Sequence, residues 1–170
     1  MQEHGLKISE LVTLFNLEVL NRGSDYDTAL LTITDVNRPG LQFHSFYDYF
    51  DPRRLQVLGK AEITYLKGLT TEQRRKCFDD LFLYDIPALV ISRGLDCFPE
   101  CLESARVHER TLLRTEETTV EFTSHTIEYL NRVLAPCVTR HGVLLDISGE
   151  GVMITCLLYT SDAADDLIGV

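Results

Sequence analysis

The sequence contains no apolar run close to the roughly 18 residues that a membrane-spanning helix needs. Its first residues, Met1–His4, are polar, and no apolar segment of the kind found in a secretory leader follows them. Basic residues are also scarce, because 16 lysines and arginines stand against 26 aspartates and glutamates, which gives a net charge of −10. Nucleic acids select partners with a positive surface. We therefore expect no membrane span and no nucleic-acid partner.

Cysteine is limited to five residues, an odd number. They are dispersed along the chain at Cys77, Cys97, Cys101, Cys137 and Cys156. This spacing does not indicate a disulfide framework, so a reducing, cytoplasmic compartment fits best, with the cysteines acting as small apolar side chains. The two short basic clusters, Arg53–Arg54 and Arg74–Lys76, are interpreted as solvated surface rather than as a track for phosphates.

The remaining composition is that of an ordinary globular domain. Apolar residues make up 45% of the chain and charged residues 25%, both typical values for folded proteins. The 170 residues suffice for one domain, or for one domain and part of another. We find no internal repeat and no low-complexity segment.

Helix and strand patterns alternate through the middle of the chain. Helices are predicted over Glu10–Leu17 after an N-cap at Ser9, over Glu72–Leu83 after Thr70 or Thr71, over Pro99–His108, and over a longer segment after Thr118 or Thr119. Strands are predicted over Glu18–Leu20, Leu30–Thr34, Leu55–Leu58, Ala88–Ile91 and Thr111–Leu113. Such an alternation implies parallel pairing with helical crossovers. The predicted fold class is therefore α/β, with a mostly parallel sheet.

The pattern changes after Ala135–Pro136, which ends the last predicted helix. Two β-rich runs, Val143–Ile147 and Gly151–Thr155, flank turn-forming residues and predict a β-hairpin. We therefore divide the chain into an α/β domain over residues 1–135, the hairpin over residues 136–155 and a tail over residues 156–170.

The loops of the α/β domain contain two groups of candidate binding residues. Asn37, Arg38 and Asp48 flank an aromatic segment and could line a ligand or partner pocket. Alternatively, the Asn-Arg-Pro-Gly sequence only shapes a turn, with Arg38 paired to a nearby carboxylate. Arg93–Gly94 follows a strand, at a position where open α/β sheets bind ligands. No glycine pattern typical of phosphate binding accompanies it.

Two sets of cysteine and histidine residues are candidates, one for a metal site and one for nucleophilic catalysis. Cys97, Cys101 and His108 contain zinc-ligand types, but a C-x3-C spacing without a second close pair favours packing roles. Cys137 and His141 could form a nucleophile and its base. No third group that would orient the histidine is recognisable in the sequence, so we set this interpretation aside.

Four stretches of sequence together resemble a known family. They are DVNRPGLQF with the following YDYF (Asp35–Phe50), LQVLGKAEITYL (Leu55–Leu66), ISRGLD (Ile91–Asp96), and LLRTEETTVEF running through YLNRVLAP to HGVLLDISGEGVMIT (His141–Thr155). In this order they resemble the N-terminal domain of HPr kinase/phosphorylase, followed by the first hairpin of its kinase domain. The resemblance covers about residues 6 to 155.

The resemblance implies a bifunctional enzyme of carbon catabolite control. Such an enzyme phosphorylates a serine of HPr, the phosphocarrier of the bacterial sugar phosphotransferase system, with ATP and Mg²⁺ or with pyrophosphate, and removes that phosphate by attack of inorganic phosphate. It implies homo-hexamers formed through the kinase domains. It also implies an N-terminal α/β domain similar to the UDP-binding domain of some peptidoglycan ligases. His141 corresponds to a family histidine counted among the catalytic-site residues near the phosphates; the alternative is a strand-edge histidine bound by backbone.

A phosphate-binding loop is missing where the family has one. Such a loop supplies backbone N–H groups, a lysine for the outer phosphate oxygens and a hydroxyl for Mg²⁺. After Thr155 this chain reads CLLYTSD, without a glycine cluster, and no lysine follows Lys76. We therefore expect residues 156–170 to be non-native, and the chain to be an inactive fragment that binds neither ATP nor Mg²⁺. The alternative function is a non-catalytic regulatory, ligand-binding or partner-binding domain that acts through residues 37–50.

Overall fold

The structure is a computed structural model, and it describes residues 5–136, 142–147 and 149–155. The chain divides into two compact units, Met1–Ala135 and Pro136–Val170. None of the helices in the described part of the chain combines the length and the apolar character that crossing a bilayer demands.

The first unit contains seven strands, five α-helices and one 3₁₀ segment among its described residues. In chain order they are β1 (Leu6–Lys7), α1 (Ile8–Leu14), β2 (Glu18–Asn21), β3 (Leu30–Leu31), β4 (Val36–Asn37), the 3₁₀ segment (Gln42–His44), β5 (Leu55–Leu58), α2 (Lys60–Lys67), α3 (Thr71–Phe82), β6 (Leu89–Ile91), α4 (Pro99–Val107), β7 (Leu112–Arg114) and α5 (Thr119–Val133).

Five of these strands form the central sheet, in the order β2-β7-β6-β5-β4. Strands β4 to β7 run parallel to one another, and β2 closes one edge antiparallel to β7. Every residue of β5 and β6 is buried, as expected for parallel strands covered on both faces. The predicted α/β class with a mostly parallel sheet is confirmed.

The side chains of the sheet divide into two apolar cores, one on each face. On one face, Leu11 of α1 and Phe122 and Leu130 of α5 pack with Val57 and Val90 of the central strands. On the other face, helices α2, α3 and α4 pack with the residues of alternate strand positions, and a group of phenylalanines centred on Phe78 fills the space between them. The sheet is therefore the middle layer of three.

Two predicted helix starts are confirmed as capping boxes. Thr70 accepts a hydrogen bond from the backbone N–H of Gln73, and Thr118 accepts one from that of Glu121. In turn, the side-chain oxygen of each partner accepts a hydrogen bond from the backbone N–H of its threonine. These caps satisfy donors that the first helical turn otherwise leaves unpaired.

The predicted N-cap at Ser9 is wrong, because α1 begins at Ile8, two residues before the predicted start, and its N-cap is Lys7. Strand β1 runs directly into this helix, and the N–H of Ile8 donates to the Ala29 carbonyl at 3.1 Å. This tertiary hydrogen bond, rather than a capping side chain, satisfies a backbone N–H group at the start of the helix. The helix also ends earlier than predicted, at Leu14, because Asn16 takes a left-handed conformation with φ of 48°.

Several short elements differ from the prediction. Helix α2 was not predicted, and neither were the two-residue strands β1 and β4. The strand predicted over Leu30–Thr34 pairs only at Leu30–Leu31. Of the basic clusters interpreted as solvated, Arg53 and Arg75 are exposed, but the Arg74 side chain is only 15% exposed and forms an ion pair with Glu100. The solvated interpretation is wrong for Arg74.

We expect Gly23→Ala to destabilise the first unit by about 1–3 kcal/mol, the usual cost of overpacking. A Cβ at this position would lie 2.5 Å from the Glu109 carbonyl oxygen and 2.7 Å from the Thr111 nitrogen. Both are backbone atoms, which cannot move away as the end of a flexible side chain could. Urea unfolding followed by far-UV circular dichroism measures the effect. Gly40→Ala is the matched control, because its Cβ would meet only the Glu62 carboxylate, at 4.0 Å. Equal stability of the two variants would contradict the prediction.

The second unit contains a β-hairpin, β8 (Gly142–Ile147) and β9 (Glu150–Thr155). The strands pair antiparallel from Gly142 opposite Thr155 to Ile147 opposite Glu150, and the predicted hairpin is confirmed. At the turn, the N–H of Gly149 donates to the Asp146 carboxylate at 2.8 Å, and Gly149 has a φ of 86°. Apolar side chains on both strands are exposed: Val143, Leu145, Ile147, Val152, Met153 and Ile154.

Candidate functional site at the carboxyl ends of the parallel strands

The four parallel strands end at one edge of the sheet, where open α/β folds bind their ligands. The residues that directly follow β4, β5, β6 and β7 are Arg38, Gly59, Ser92 and Thr115. Helices α2 and α5 begin at this edge, after β5 and β7 respectively. Polar side chains at this edge are therefore the first candidates for function.

A hydroxyl pair joins three of these segments. The Ser92 hydroxyl donates to the Leu58 carbonyl at 2.9 Å and lies 2.7 Å from the Thr119 hydroxyl, which consequently donates to it. A Cβ on Gly59 would lie 2.7 Å from the Thr119 oxygen and 3.1 Å from an Arg38 nitrogen. The end of β5, the start of α2 and the first turn of α5 are thus packed against one another, with no space for a side chain at position 59.

Arg38 and Glu62 form an ion pair beside this contact. The Arg38 Nη2 donates to Glu62 Oε2 at 2.8 Å, and the same oxygen accepts the N–H of Gly59 at 2.9 Å. The Glu62 side chain is only 8% exposed, whereas that of Arg38 is 49% exposed. The predicted pairing of Arg38 with a nearby carboxylate is confirmed, and about half of the Arg38 side-chain surface still faces solvent.

Asn37 has a structural role and Asp48 does not join it. The Asn37 amide donates to the Gln56 side chain at 2.7 Å and to the Gln42 side chain at 3.3 Å, which ties β4 to β5 and to the 3₁₀ segment. Asp48 is exposed and lies on the loop beyond. Of the three residues predicted to flank a pocket, only Arg38 lines one.

That pocket is a cleft of about 390 Å³ between the 3₁₀ segment and α2. We call it the β4–α2 cleft, and its lining residues are Arg38, Gly40, Leu41, Phe43, His44, Ala61, Glu62 and Tyr65. The rings of His44 and Tyr65 stack with their centroids 4.4 Å apart and an interplanar angle of 29°. The cleft combines an aromatic pair, an apolar wall and one half-exposed arginine side chain.

Arg93 and Gly94 form a tight turn rather than a binding loop. Both have left-handed backbone conformations, with φ of 64° and 57°. The N–H of Arg93 donates to the Glu117 carbonyl and that of Gly94 to the Thr115 carbonyl, each at 2.8 Å. These two bonds hold the end of β6 against the loop that leads into α5, so the backbone N–H groups of this turn are already used.

The three residues with zinc-ligand types do not converge. Cys97 and Cys101 are neighbours; their mutual hydrogen bond lowers the pKa of the Cys97 thiol, and burial raises the pKa of the Cys101 thiol. His108 lies beyond the other end of α4, where its Nε2 is 3.4 Å from the Asp79 carboxylate. In residues 5–136, 142–147 and 149–155, no three His, Cys, Asp or Glu side chains are placed to hold a metal ion.

The proposed active-site residue, His141, lies outside the described residues, and so does Cys137. The structure therefore tests neither of these interpretations. Sequence reasoning also missed residues that the cleft brings together: His44, Glu62 and Tyr65. Only the prediction of α2 could have placed Glu62 and Tyr65 one turn apart on the same helix, and its N-cap, Gly59, has no side chain that would signal a helix start.

One solved structure with the same fold is the crystal structure of the CBS and DRTGG domains of the regulatory region of Clostridium perfringens pyrophosphatase, complexed with the activator diadenosine tetraphosphate. The TM-score is 0.52 at 15% sequence identity, and the likeness covers 75% of this chain and 49% of that one. At this identity, the likeness concerns the fold alone.

Curated proteins named HPr kinase/phosphorylase are much more similar in sequence. That of Alkaliphilus metalliredigens is 43% identical over 150 residues, which is 88% of this chain and 48% of that protein. Those of Clostridium perfringens and Clostridium beijerinckii are 40% and 42% identical over 151 residues, covering 89% of this chain and 48% and 49% of the relatives. A match of 150 or 151 residues within a chain of 170 residues includes His141, whichever residue it starts from.

The chain spans about half the length of these curated relatives. A family model described as HPr Serine kinase N terminus matches residues 6–130, which is most of the chain and nearly all of the described first unit. The matched residues include the whole central sheet and the β4–α2 cleft. The chain therefore belongs to the family of HPr serine kinase N-terminal domains.

Proposed function

We propose that this chain is the N-terminal half of an HPr kinase/phosphorylase. The observation that carries the proposal is an identity of about 40% to proteins of that name, extending beyond the N-terminal family match at residue 130. In the complete protein, the γ-phosphoryl group of ATP passes to a serine hydroxyl of HPr, giving ADP, phosphoserine and a proton. In the reverse activity, inorganic phosphate attacks the phosphoserine, giving pyrophosphate and free serine.

We propose that this chain does not itself bind ATP. Phosphoryl transfer depends on cradling the phosphates and neutralising their charge. The segment after Thr155, where the family is expected to have its phosphate-binding loop, has neither a glycine cluster nor a lysine. We therefore assign ATP and Mg²⁺ binding to the complete protein and not to this chain. We also propose that residues 156–170 are not native, which sequencing of the source locus tests.

His141 is the one catalytic-site residue that we assign to this chain. It directly precedes β8, and a histidine near the phosphates can hydrogen-bond a phosphate oxygen or carry a proton near neutral pH. The remaining assignments also concern the complete protein: HPr as its substrate, a homo-hexamer as its assembly and the cytoplasm as its compartment.

Phosphorylation of HPr tests the proposal. We expect the complete protein to transfer the γ-phosphate of radiolabelled ATP to purified HPr, and this 170-residue chain to give no transfer above background. A complete protein that binds ATP but leaves HPr unlabelled would contradict the assignment. So would tight, Mg²⁺-dependent ATP binding by the chain alone.

We expect His141→Gln in the complete protein to lower kcat for HPr phosphorylation by at least about a hundredfold, the low end of general acid–base contributions. The matched control is His125→Gln, because His125 is an exposed residue of α5 paired with Glu117. Both variants should elute as the same oligomer as the parent in gel filtration. Equal kcat values for the two variants would remove His141 from the catalytic site.

The N-terminal domain has a second candidate function, as a ligand-binding regulatory domain. The β4–α2 cleft supports this function. Five of its lining residues belong to the segment 37–50, and the cleft lies at the edge of the sheet where open α/β folds bind ligands. The two functions are compatible within one protein.

A further inference from the structure

We propose that the β4–α2 cleft binds a small molecule that combines a planar ring with a carboxylate or phosphate group. Its volume of about 390 Å³ is within the range of small-molecule sites. It opens where β4 and β5 end, next to the start of α2. This inference does not depend on the kinase assignment, because it concerns a binding equilibrium of the N-terminal domain.

The aromatic half of the cleft fits the planar ring. The His44 and Tyr65 rings form a flat stack, and the hydrogen bond between His44 Nδ1 and the Gly40 carbonyl, at 3.1 Å, fixes the imidazole plane. Leu41, on the same lining, is 63% exposed and so presents apolar surface at the cleft. A ring that covers these groups would remove apolar surface from water and gain stacking contacts.

The charged half of the cleft fits an anion. The Arg38 guanidinium donates only through Nη2 to the described residues, and that bond goes to Glu62. Its other N–H groups remain for a ligand, and a guanidinium fork matches the oxygens of a carboxylate or phosphate. Glu62 is nearly buried, and its Oε2 already accepts hydrogen bonds from both Arg38 and the N–H of Gly59, so this carboxylate positions Arg38 at the cleft.

The wall that carries Phe43 and His44 is held in place before any ligand binds. Phe43 is 4% exposed, its ring packs edge-on against Phe78 at 5.8 Å, and its carbonyl accepts a hydrogen bond from the Cys77 thiol at 3.4 Å. The Gln42 side chain donates to the Phe46 carbonyl at 3.3 Å. A preformed wall lowers the ordering cost of binding, so the cleft suits a rigid ligand.

Titration of the ¹⁵N-labelled chain by NMR tests the proposal. The probes are indole-3-acetate for the carboxylate, 1-naphthyl phosphate for the phosphate, and indole-3-acetamide as the uncharged match of the first. We expect the acids to shift amide resonances of residues 38–46 and 59–65, and the amide to bind about tenfold more weakly than indole-3-acetate. Stronger binding of indole-3-acetate than of indole-3-acetamide, which has the same ring, would show that the cleft recognises the anionic group.

Two pairs of variants locate the site. Ala61→Leu adds volume to the cleft on a helix that tolerates leucine and should abolish the shifts, whereas Thr64→Leu, one turn further along α2 and outside the lining, should not. Arg38→Gln should weaken binding of both acids about tenfold, whereas Arg22→Gln, which removes an exposed pair with Asp27, should leave it unchanged. If Ala61→Leu disturbs the fold, Gly40→Val fills the cleft from the opposite wall, where the nearest atom to a Cβ is 4.0 Å away.

Three results would overturn the proposal. Binding that survives both Ala61→Leu and Gly40→Val would place the ligand elsewhere on the molecule. Equal affinities for indole-3-acetate and its amide would remove the role of Arg38. An absence of shifts with both acids at millimolar concentration would remove this class of ligand altogether. HPr phosphorylation by the complete protein is unaffected by any of these outcomes, so the two proposals fail separately.

Discussion

Replacing Arg74 by methionine is expected to lower the free energy of unfolding by about 3–5 kcal/mol, the cost of leaving a buried charge without its partner. The Arg74 and Glu100 side chains are 15% and 8% exposed, and their Nη2 and Oε1 atoms are 2.9 Å apart. Arg74 also donates to the Leu66 carbonyl at 3.0 Å and lies 4.7 Å above the Phe98 ring. One guanidinium thus joins the end of α2, the start of α3 and the start of α4.

The neighbouring residue provides the matched control. Arg75 also pairs with a glutamate of α4, Glu103, but those side chains are 53% and 55% exposed, and Arg75→Met should cost only about 0–1 kcal/mol. The double variant Arg74→Met/Glu100→Leu should recover most of the lost stability, since a well-packed apolar pair can replace a buried ion pair. Similar losses for Arg74→Met and Arg75→Met would contradict the prediction.

The effect of the Arg74 substitution should depend on pH. The hydrogen bond from Arg74 lowers the pKa of Glu100 below its ordinary value. The contribution of the pair is therefore fully present above the ordinary glutamate pKa and is lost as the pH falls through the lowered one. In urea unfolding at decreasing pH, the stability difference between the parent chain and Arg74→Met should shrink. A difference that stays constant down to the most acid pH would contradict the charge argument.

The second large effect is expected from Phe78→Ala, at about 3–5 kcal/mol for a fully buried phenylalanine. Phe78 is 0% exposed and its ring contacts those of Phe43, Phe82 and Phe98, at centroid distances of 5.8, 6.3 and 6.4 Å. Truncation would leave a cavity between α3, α4 and the 3₁₀ segment. Urea unfolding followed by tyrosine fluorescence measures the loss, because the chain has seven tyrosines and no tryptophan.

Two further variants provide reference values for this loss of stability. Phe46 is 45% exposed, so Phe46→Ala removes the same side chain from the surface and should cost within about 0.5 kcal/mol. Phe78→Leu keeps most of the buried volume, so its loss of stability should lie between those of Phe78→Ala and Phe46→Ala. A Phe78→Ala variant as stable as Phe46→Ala would show that this group of rings is not the centre of its core.

The sequence predicted those elements whose signals are local. Strand Leu55–Leu58 was predicted with its observed bounds, because Leu55, Val57 and Leu58 form a short, mostly apolar run. The helices capped by Thr70 and Thr118 were predicted because the caps and their partners lie three residues apart. Strands β1 and β4 were not predicted. A strand of two residues shows no periodicity in the sequence, and these two strands form only through tertiary pairing.

The same distinction applies to charged residues. Arg74 and Arg75 are adjacent in a polar helix, and only the packing of α3 on α4 decides which one is buried. In the cleft, the pairing of Arg38 could be anticipated, because an arginine in a turn needs a carboxylate. Its partner Glu62 could not be identified, because it lies 24 residues away on a helix whose N-cap is a glycine without a side-chain signal. His141 stays a prediction.

The contact between Gly59 and Thr119 makes the two positions a compensating pair. A side chain at 59 fits only if the residue at 119 shortens, because the space a Cβ would take is filled by the threonine hydroxyl at 2.7 Å. Shortening Thr119 in turn removes the donor that Ser92 accepts from. Sequence change at this edge of the sheet is therefore concerted, and homologous chains should vary there in sets of three residues rather than one at a time.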